Sequence, residues 1–463
     1  MRLSHRTLLS LMKRIGGKVD DYAQYRPSAL SMQNLIDFGK TFKGCVIRLT
    51  SSIADYRFIE LSMVSRFLGR KAEEKASFNF LRKELLVRLA NVMKEVALLP
   101  QSLLGTPSAT LVYQWYQESF QDLLQFENVE YNPNISNDFT AQLTQIVNRH
   151  NTVVETMAEG LMEMKASHGI DPVTQKNIQF FLNRFYLSRI SIRMLISQHR
   201  NHFISIVVDD NMSLLSVILF GQATHPFYQS SQHIGCIDPN CDVLGVIQDA
   251  YENARFLCDR YYLRSPGMKL ESKNDLQPSQ PITIVYVPSH LYHIMHELLK
   301  NALRAVTEYQ QDKDSLPDVN VQVVKGKEDL SIRISDNGGG VPCRLVGNLF
   351  NYLYTTASLP SPELHEPSAP MAGLGYGLPV SRLYARYFHG DLFLVSMEGY
   401  GSDAYVYLKA LAVEASEVIP AYSAMSKKMF NTVEKGSQWS RAVPTNNLFV
   451  TSCTLHAYDG STD

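Results

Sequence analysis

The chain has 463 residues, 45% apolar and 19% charged, which is too long for one ordinary domain and excludes wholesale disorder, collagen-like repeats and a long coiled coil. Lys plus Arg number 44 against 45 Asp plus Glu, a net charge of −1, so no global field draws it to nucleic acid or another polyanion. Six scattered cysteines, Cys45, Cys236, Cys241, Cys258, Cys343 and Cys453, do not make a disulfide framework and point to a reducing compartment. Cys236 and Cys241, separated by four residues with no second pair nearby, read as buried thiols rather than a zinc site. The most apolar stretch, 202–220, is broken by Asp209 and Asp210, so no uninterrupted apolar run is long enough to span a bilayer and a soluble protein is expected.

From the N-terminus, Arg2, Arg6, Lys13, Arg14 and Lys18 precede the first acid, Asp20. Leu3, Leu8, Leu9, Leu11, Met12 and Ile15 fall largely on one helical face, so residues 1–19 read as a basic amphipathic presequence of the mitochondrial type. Residues 20–230 then read as a helix bundle. Leu81, Leu85, Leu86, Leu89 and Val92 recur at three- and four-residue steps, as do Ile178, Phe181, Leu182 and Phe185. Pro100 with Pro107, Pro133 and Pro172 divide 27–199 into about four long helices. Two segments, 42–69 and 201–218, lack a helical face and interrupt this pattern.

From about 282 the period changes. Segments 282–287, 319–324, 330–335, 392–396 and 404–408 alternate or run β-branched, with helices between them, giving a mixed α/β domain over 231–412. Residues 358–370 pack four prolines into a loop, and the tail over 413–463 is patternless.

Four short elements in this domain carry chemistry. On the helix around His296–Arg304, Glu297 and Asn301 are four apart, as are Lys300 and Arg304. A carboxylate, an amide oxygen and two cations at that spacing suit a magnesium ion and a polyphosphate. Asp336-Asn-Gly-Gly-Gly340 ends a β-run, where a carboxylate can accept the amino proton of adenine and Gly338 and Gly340 let the backbone approach the base. Gly373-Leu374-Gly375-Tyr376-Gly377 precedes a helix over 378–388 and presents N–H groups to phosphate. Gly399-Tyr-Gly-Ser-Asp403 turns between two strands and places the Ser402 hydroxyl near a base.

The order and spacing of these elements, with the proline-rich loop between the second and third, resemble the nucleotide site and ATP lid of the GHKL ATPase superfamily of gyrase, heat-shock chaperones and histidine kinases. A helical domain ahead of the ATPase leaves the kinases. A phospho-accepting histidine of the two-component type is not matched, because Arg149-His150-Asn151 lacks the following acid and a nearby proline.

Longer stretches, including Arg149–Val154, Phe185–Leu195, His233–Cys241, Val287–His293 and Gly375–Phe388, are similar to the mitochondrial α-keto acid dehydrogenase kinase family, nearest its pyruvate dehydrogenase branch. The resemblance implies a four-helix bundle followed by a GHKL (Bergerat) α/β-sandwich. It implies an ATP- and magnesium-dependent serine kinase of the mitochondrial matrix that inactivates the dehydrogenase by phosphorylating E1α, as a homodimer docked on E2 lipoyl domains. The branched-chain kinase, and an ATP-binding scaffold on lipoyl domains that transfers no phosphate, stay as alternatives.

By that resemblance Glu297 is the general base and Asn301 ligates magnesium; His293, one turn before Glu297 and within reach of its carboxylate, reads equally as a residue that orients the base and as a structural histidine. Lys300 and Arg304 steady the phosphates, Asp336 fixes adenine, and Tyr354, Thr355 and Thr356 join the glycine loop in contacting the nucleotide. A pocket for small 2-oxo acids maps to Tyr116, Ser119, Arg149, His150, Ser188, Arg189 and Arg193, where clustered cations suit a carboxylate. From the residues alone, the arginines read equally as bundle salt bridges. A lipoyl pocket maps to Leu30, Leu35, Phe38, Phe80 and Leu81, otherwise plain core. Segments 42–69 and 201–218 stand outside the family pattern as insertions, Ser402 replaces a threonine, and Gln438-Trp439 replaces the Asp-Trp pair of the tail.

Overall fold

The computed structural model describes residues 16–39, 69–169, 172–200, 233–313, 315–355 and 375–423. Thr356, Gly373, Leu374, the Phe38 side chain, Gln438, Trp439 and both expected insertions, apart from Gly69, lie outside the described residues.

The first helix, α1 over 16–23, straddles the expected presequence boundary at 19. Val19 is buried, Lys18 Nζ lies 2.7 Å from Glu127 Oε1, and the Tyr22 phenol donates to the same oxygen at 2.7 Å. Residues 18–22 are therefore already packed on the bundle. After α2 (Met32–Gly39) come α3 (Gly69–Val96), α4 (Gln101–Leu104), α5 (Pro107–Leu124), α6 (Pro133–Arg149), α7 (Val153–His168) and α8 (Pro172–Arg200). Prolines start α5, α6 and α8, where a missing N–H costs nothing, and Thr106 and Asn132 cap the first two by accepting from Ala109 N and Asn134 N. Phe78, Leu81, Leu85, Leu89 and Val92 of α3 and Phe181, Leu182 and Phe185 of α8 face the core, each worth about 1.5–3 kcal/mol of burial.

The expectation of about four long helices over 27–199 is corrected to five among the described residues, because α6 and α7 break at His150–Thr152 without a proline. The His150 and Asn151 carbonyls accept from Arg189 Nη2 at 3.1 and 3.4 Å, which draws those acceptors out of the helical ladder.

The second domain opens with β1 (Asp238–Asp242), α9 (Val243–Tyr262) and β2 (Met268–Asn274), then β3 (Thr283–Tyr286) and α10 (Pro288–Tyr309). It continues through β4 (Val319–Lys325), β5 (Asp329–Asp336), α11 (Cys343–Val346), α12 (Gly377–Tyr387), β6 (Asp391–Met397) and β7 (Gly401–Lys409). The five-stranded sheet runs β2-β4-β5-β7-β6, parallel at β2/β4 and antiparallel elsewhere, while β1 and β3 form a separate antiparallel pair. Val319, Val321 and Val323, Leu330, Ile332 and Ile334, and Val406 and Leu408 alternate toward the buried face. This is the helical bundle plus mixed α/β layer expected from the sequence.

Residues after β7 return to the first domain, so the part of the expected patternless tail up to residue 423 is ordered by pairing. Met32 N donates to Ala415 O at 2.7 Å, Glu417 N to Leu30 O at 2.9 Å, and Val418 N to Tyr387 O at 2.8 Å. Arg88, 1% exposed, holds Glu84 Oε1 at 2.9 Å, Glu417 Oε2 at 3.0 Å, Ser28 O at 2.8 Å and Ser191 O at 3.0 Å. The Tyr387 phenol donates to Glu417, so one buried carboxylate joins α3, the N-terminal segment and α12.

Candidate nucleotide and phosphotransfer site

Pro288 starts α10, whose apolar face, including Leu291, Ile294, Leu298 and Leu299, buries it between α9 and the sheet. That burial carries polar side chains inward: His293, His296, Glu297 and Lys300 are all buried, and Glu297 is 3% exposed. Lys300 Nζ donates to Glu297 Oε1 at 2.7 Å, and His296 Nδ1 lies 3.7 Å from the same oxygen. Burial pushes the Glu297 carboxyl up, but Lys300, His296 and His293 together outweigh it and hold it well below the usual carboxylate range. The carboxylate is thus ionised and hydrogen-bonded in a nearly dry site. Asn301, one turn on, is half-buried, and Arg304 Nε lies 3.7 Å from Glu308 Oε1.

Asp336 ends β5 opposite Ser402 of β7. Its Oδ1 accepts from Gly338 N at 2.9 Å and Ser402 N at 3.3 Å. Burial pushes its carboxyl up to about 6 despite those two donors. The Ser402 hydroxyl lies 2.9 Å from that of Ser396, which in turn accepts from Val341 N at 2.7 Å. Gly338 is forced by packing: a Cβ there would come 2.5 Å from that of Ala305 on α10. Gly340 (φ 65°) needs the left-handed region that only glycine takes without strain.

Gly375 (φ 77°) sits against the backbone of Tyr354, so the chain on either side of 356–374 comes together. Tyr354 is half-buried and Thr355 exposed. Gly377, first residue of α12, packs so tightly on Glu297 that a Cβ would overlap Oε2. The positive end of α12 therefore faces the carboxylate. The Tyr186 ring of α8 meets Tyr352 tilted at 5.5 Å and Tyr376 edge-on at 6.2 Å, and Tyr352 N donates to Gln179 Oε1 at 2.9 Å. Tyr352 and Tyr376, on either side of 356–374, thus rest on the helical domain.

The residues expected to hold a 2-oxo acid converge where α5, α6 and α8 meet. Tyr116, Ser119, His150, Ser188 and Arg189 are buried, and Arg149 and Arg193 are half-buried. Arg149 Nη1 donates to Ser119 Oγ at 2.8 Å, and its guanidinium meets Asp122 at 2.9 Å and Glu118 at 3.3 Å. Ser119 Oγ and His150 Nε2 are 3.0 Å apart, and the His150 ring stands 4.5 Å from that of Tyr116. Burial holds His150 down at about 3, so it is neutral, and the buried Tyr116 hydroxyl has no hydrogen-bond partner among the described residues. Of the lipoyl set, Leu30, Leu35 and Leu81 are core and Phe80 is half-buried beside them.

Sequence reasoning anticipated Glu297, but not that His296 would lie beside its carboxylate; adjacency on a helix normally points two side chains apart. It assigned Lys300 to phosphates, whereas here its ammonium is on Glu297. His290 and Tyr384, whose rings stack at 4.2 Å, and the Arg88–Glu417 pair carried no local signal.

Comparison with known proteins gives the family. Residues 29–238 match the family described as mitochondrial branched-chain alpha-ketoacid dehydrogenase kinase, and residues 286–412 match the histidine kinase-, DNA gyrase B- and HSP90-like ATPases. A mitochondrial pyruvate dehydrogenase (acetyl-transferring) kinase of Ascaris suum is 48% identical over 444 residues, 96% of this chain and 98% of that one. Isozyme 1 of the kinase from Homo sapiens is 46% identical over 426 residues, 92% and 87% of the two chains. The Drosophila melanogaster kinase is 45% identical over 441 residues, 94% of each. Identity at this level along nearly the whole length, with the ATPase fold in place, makes the chain a member of the mitochondrial pyruvate dehydrogenase (acetyl-transferring) kinase family.

Proposed function

We propose that this chain is an ATP-dependent protein kinase that phosphorylates serine on the E1α subunit of pyruvate dehydrogenase and so inactivates the complex. The observation that carries the reading is the buried Glu297 carboxylate, kept ionised by Lys300 at 2.7 Å, facing the first residue of α12 and one turn from Asn301. Phosphoryl transfer asks a protein for positioning and charge neutralisation more than for covalent chemistry. Glu297 accepts the proton of the serine hydroxyl as its oxygen bonds to the γ-phosphorus, and the bond to the bridging oxygen breaks to release ADP. His293, one turn back, orients the base. Lys300 has three N–H donors, so it can hold Glu297 and a phosphate oxygen together, with Arg304 beside it.

Asp336 fits adenine because Oδ1 is already held by two backbone donors, leaving Oδ2 for the exocyclic amine. Gly338, Gly340 and Ser402 line that end, and Tyr354, Thr355, Gly375, Tyr376 and Gly377 are assigned to the phosphates, as by the resemblance are Thr356, Gly373 and Leu374, which lie outside the described residues. The half-buried amide of Asn301 offers the hard oxygen magnesium takes. The ion, when bound, neutralises charge on the transferring phosphoryl group.

The Tyr116, Ser119, Arg149, His150, Ser188, Arg189 and Arg193 cluster is assigned to a 2-oxo acid effector, and the set Leu30, Leu35, Phe38, Phe80 and Leu81 to the E2 lipoyl group. A homodimer is supported by the exposed apolar strip of Val395 and Met397 beside the Phe393–Tyr407 stack on the outer sheet face. Relatives named mitochondrial and the acid-free basic N-terminus favour the mitochondrion, and we assign the matrix.

The match of 29–238 to a branched-chain kinase model supports that enzyme as the second reading. Labelled γ-phosphate offered with magnesium to pyruvate dehydrogenase E1 and branched-chain E1 in parallel separates the two. Serine label on the first supports the proposal. Label on branched-chain E1 alone replaces it with the second reading, and nucleotide binding without transfer to either leaves a scaffold.

A further inference from the structure

Helices α10 and α12 pack antiparallel, and five residues mark the register. Gly377 meets Glu297 at one end, and seven residues on, Tyr384 meets His293 and His290, which precede Glu297 by four and seven. Seven residues are about two turns on either helix, so the two contacts are in register. The Tyr384 ring stacks on His290 at 4.2 Å and 30°, and receives His293 edge-on at 5.2 Å and 69°. Both are favourable aromatic geometries in a site where Tyr384, His290 and His293 are all buried. The Tyr286 phenol donates to Tyr384 O at 3.3 Å, and Tyr387 is tied to Glu417, so the second half of α12 is fixed. Its first half carries no side chain at the contact with Glu297.

We propose that Tyr384 is a positioning residue for phosphotransfer, its ring clasping His290 and His293 so that α12 and the histidine beside the base keep their places around Glu297. The inference rests on Glu297 as the base. The phenolic hydroxyl is not what the clasp uses; the ring is.

Steady-state assays on the full chain, with pyruvate dehydrogenase E1 and ATP, compare the parent with Tyr384→Phe, Tyr384→Leu and Glu297→Gln. The Phe variant keeps the ring and should stay within about twofold of the parent, whereas Leu should lose about 10- to 100-fold in kcat with KM for ATP nearly unchanged, the signature of misplacement. A Leu variant at parental kcat, a Phe variant as impaired as Leu, or a loss confined to KM overturns the clasp. If Tyr384→Leu does not fold, His290→Leu removes the other face of the same stack and carries the same expectation. Activity surviving in Glu297→Gln while Tyr384→Leu is impaired overturns the base assignment and leaves the clasp. A dead Glu297→Gln beside an active Tyr384→Leu does the reverse.

Discussion

Gly377 is packed on Glu297 so closely that any side chain at 377 would occupy the space of the carboxylate oxygen Oε2. The contact ties a glycine-loop helix to the proposed base. Gly377→Ala should therefore displace the start of α12 or turn the carboxylate, an overpacking cost of about 1–3 kcal/mol. A kcat falling at least about tenfold while the protein still melts cooperatively is the expected result. An alanine variant with parental kcat would show that the contact does not position the base.

Lys300 compensates a charge that burial opposes. Removing it in Lys300→Met leaves Glu297 buried without its main partner, which should destabilise the protein by about 3–5 kcal/mol in chemical denaturation. The sign in pH follows from the depressed carboxyl. The stabilisation is present above the ordinary glutamate value and is lost only as pH falls through the lower folded value. In Lys300→Met the carboxyl rises, and the acid limb of the kcat–pH profile should move to higher pH.

Asp336 behaves oppositely. Its carboxyl is raised to about 6 by burial, so from the unfolded aspartate value of about 3.9 up to there the folded protein holds a proton that the unfolded chain releases. Stability of the nucleotide-free protein should decline as pH rises through that window. Adenosine, which has no phosphate of its own to titrate, should bind more weakly as pH falls through about 6, since the ionised carboxylate is the stronger acceptor. Asp336→Asn should bind weakly at every pH and abolish that dependence; isothermal titration in both chains checks it.

Arg88 is 1% exposed and joins residues 329 positions apart in sequence when it meets Glu417. Burial opposes its charge, yet Glu417 and Glu84 hold its pKa above the ordinary arginine value. Arg88→Met should cost about 3–5 kcal/mol, because two buried carboxylates lose their cation, and Glu417→Gln should cost less. Urea unfolding of both variants measures the order.

The bundle and the sheet were legible because their signals are local and periodic: the apolar steps of α3 and α8, and the alternation of β4, β5 and β7. Glu297 and Asn301 showed as a four-residue spacing, and Asp336 as an acid before glycines. Polar Lys269, Glu271 and Lys273 hid β2, which as an edge strand needs no apolar alternation. The break between α6 and α7 was invisible because it is made by Arg189, brought in by another helix. Glu417 and Tyr384 were missed for the same reason. Their partners come from distant segments, and nothing within a few residues of either marks them.

The most direct test of the account is single-turnover transfer of γ-phosphate from ATP to a pyruvate dehydrogenase E1 serine by the parent and by Glu297→Gln, each saturated with nucleotide. The account predicts that the Gln chain binds ATP as the parent does and transfers about 10²- to 10⁴-fold more slowly, the usual worth of a positioned base. Transfer at the parental rate, or a loss traced entirely to weaker ATP binding, would contradict it.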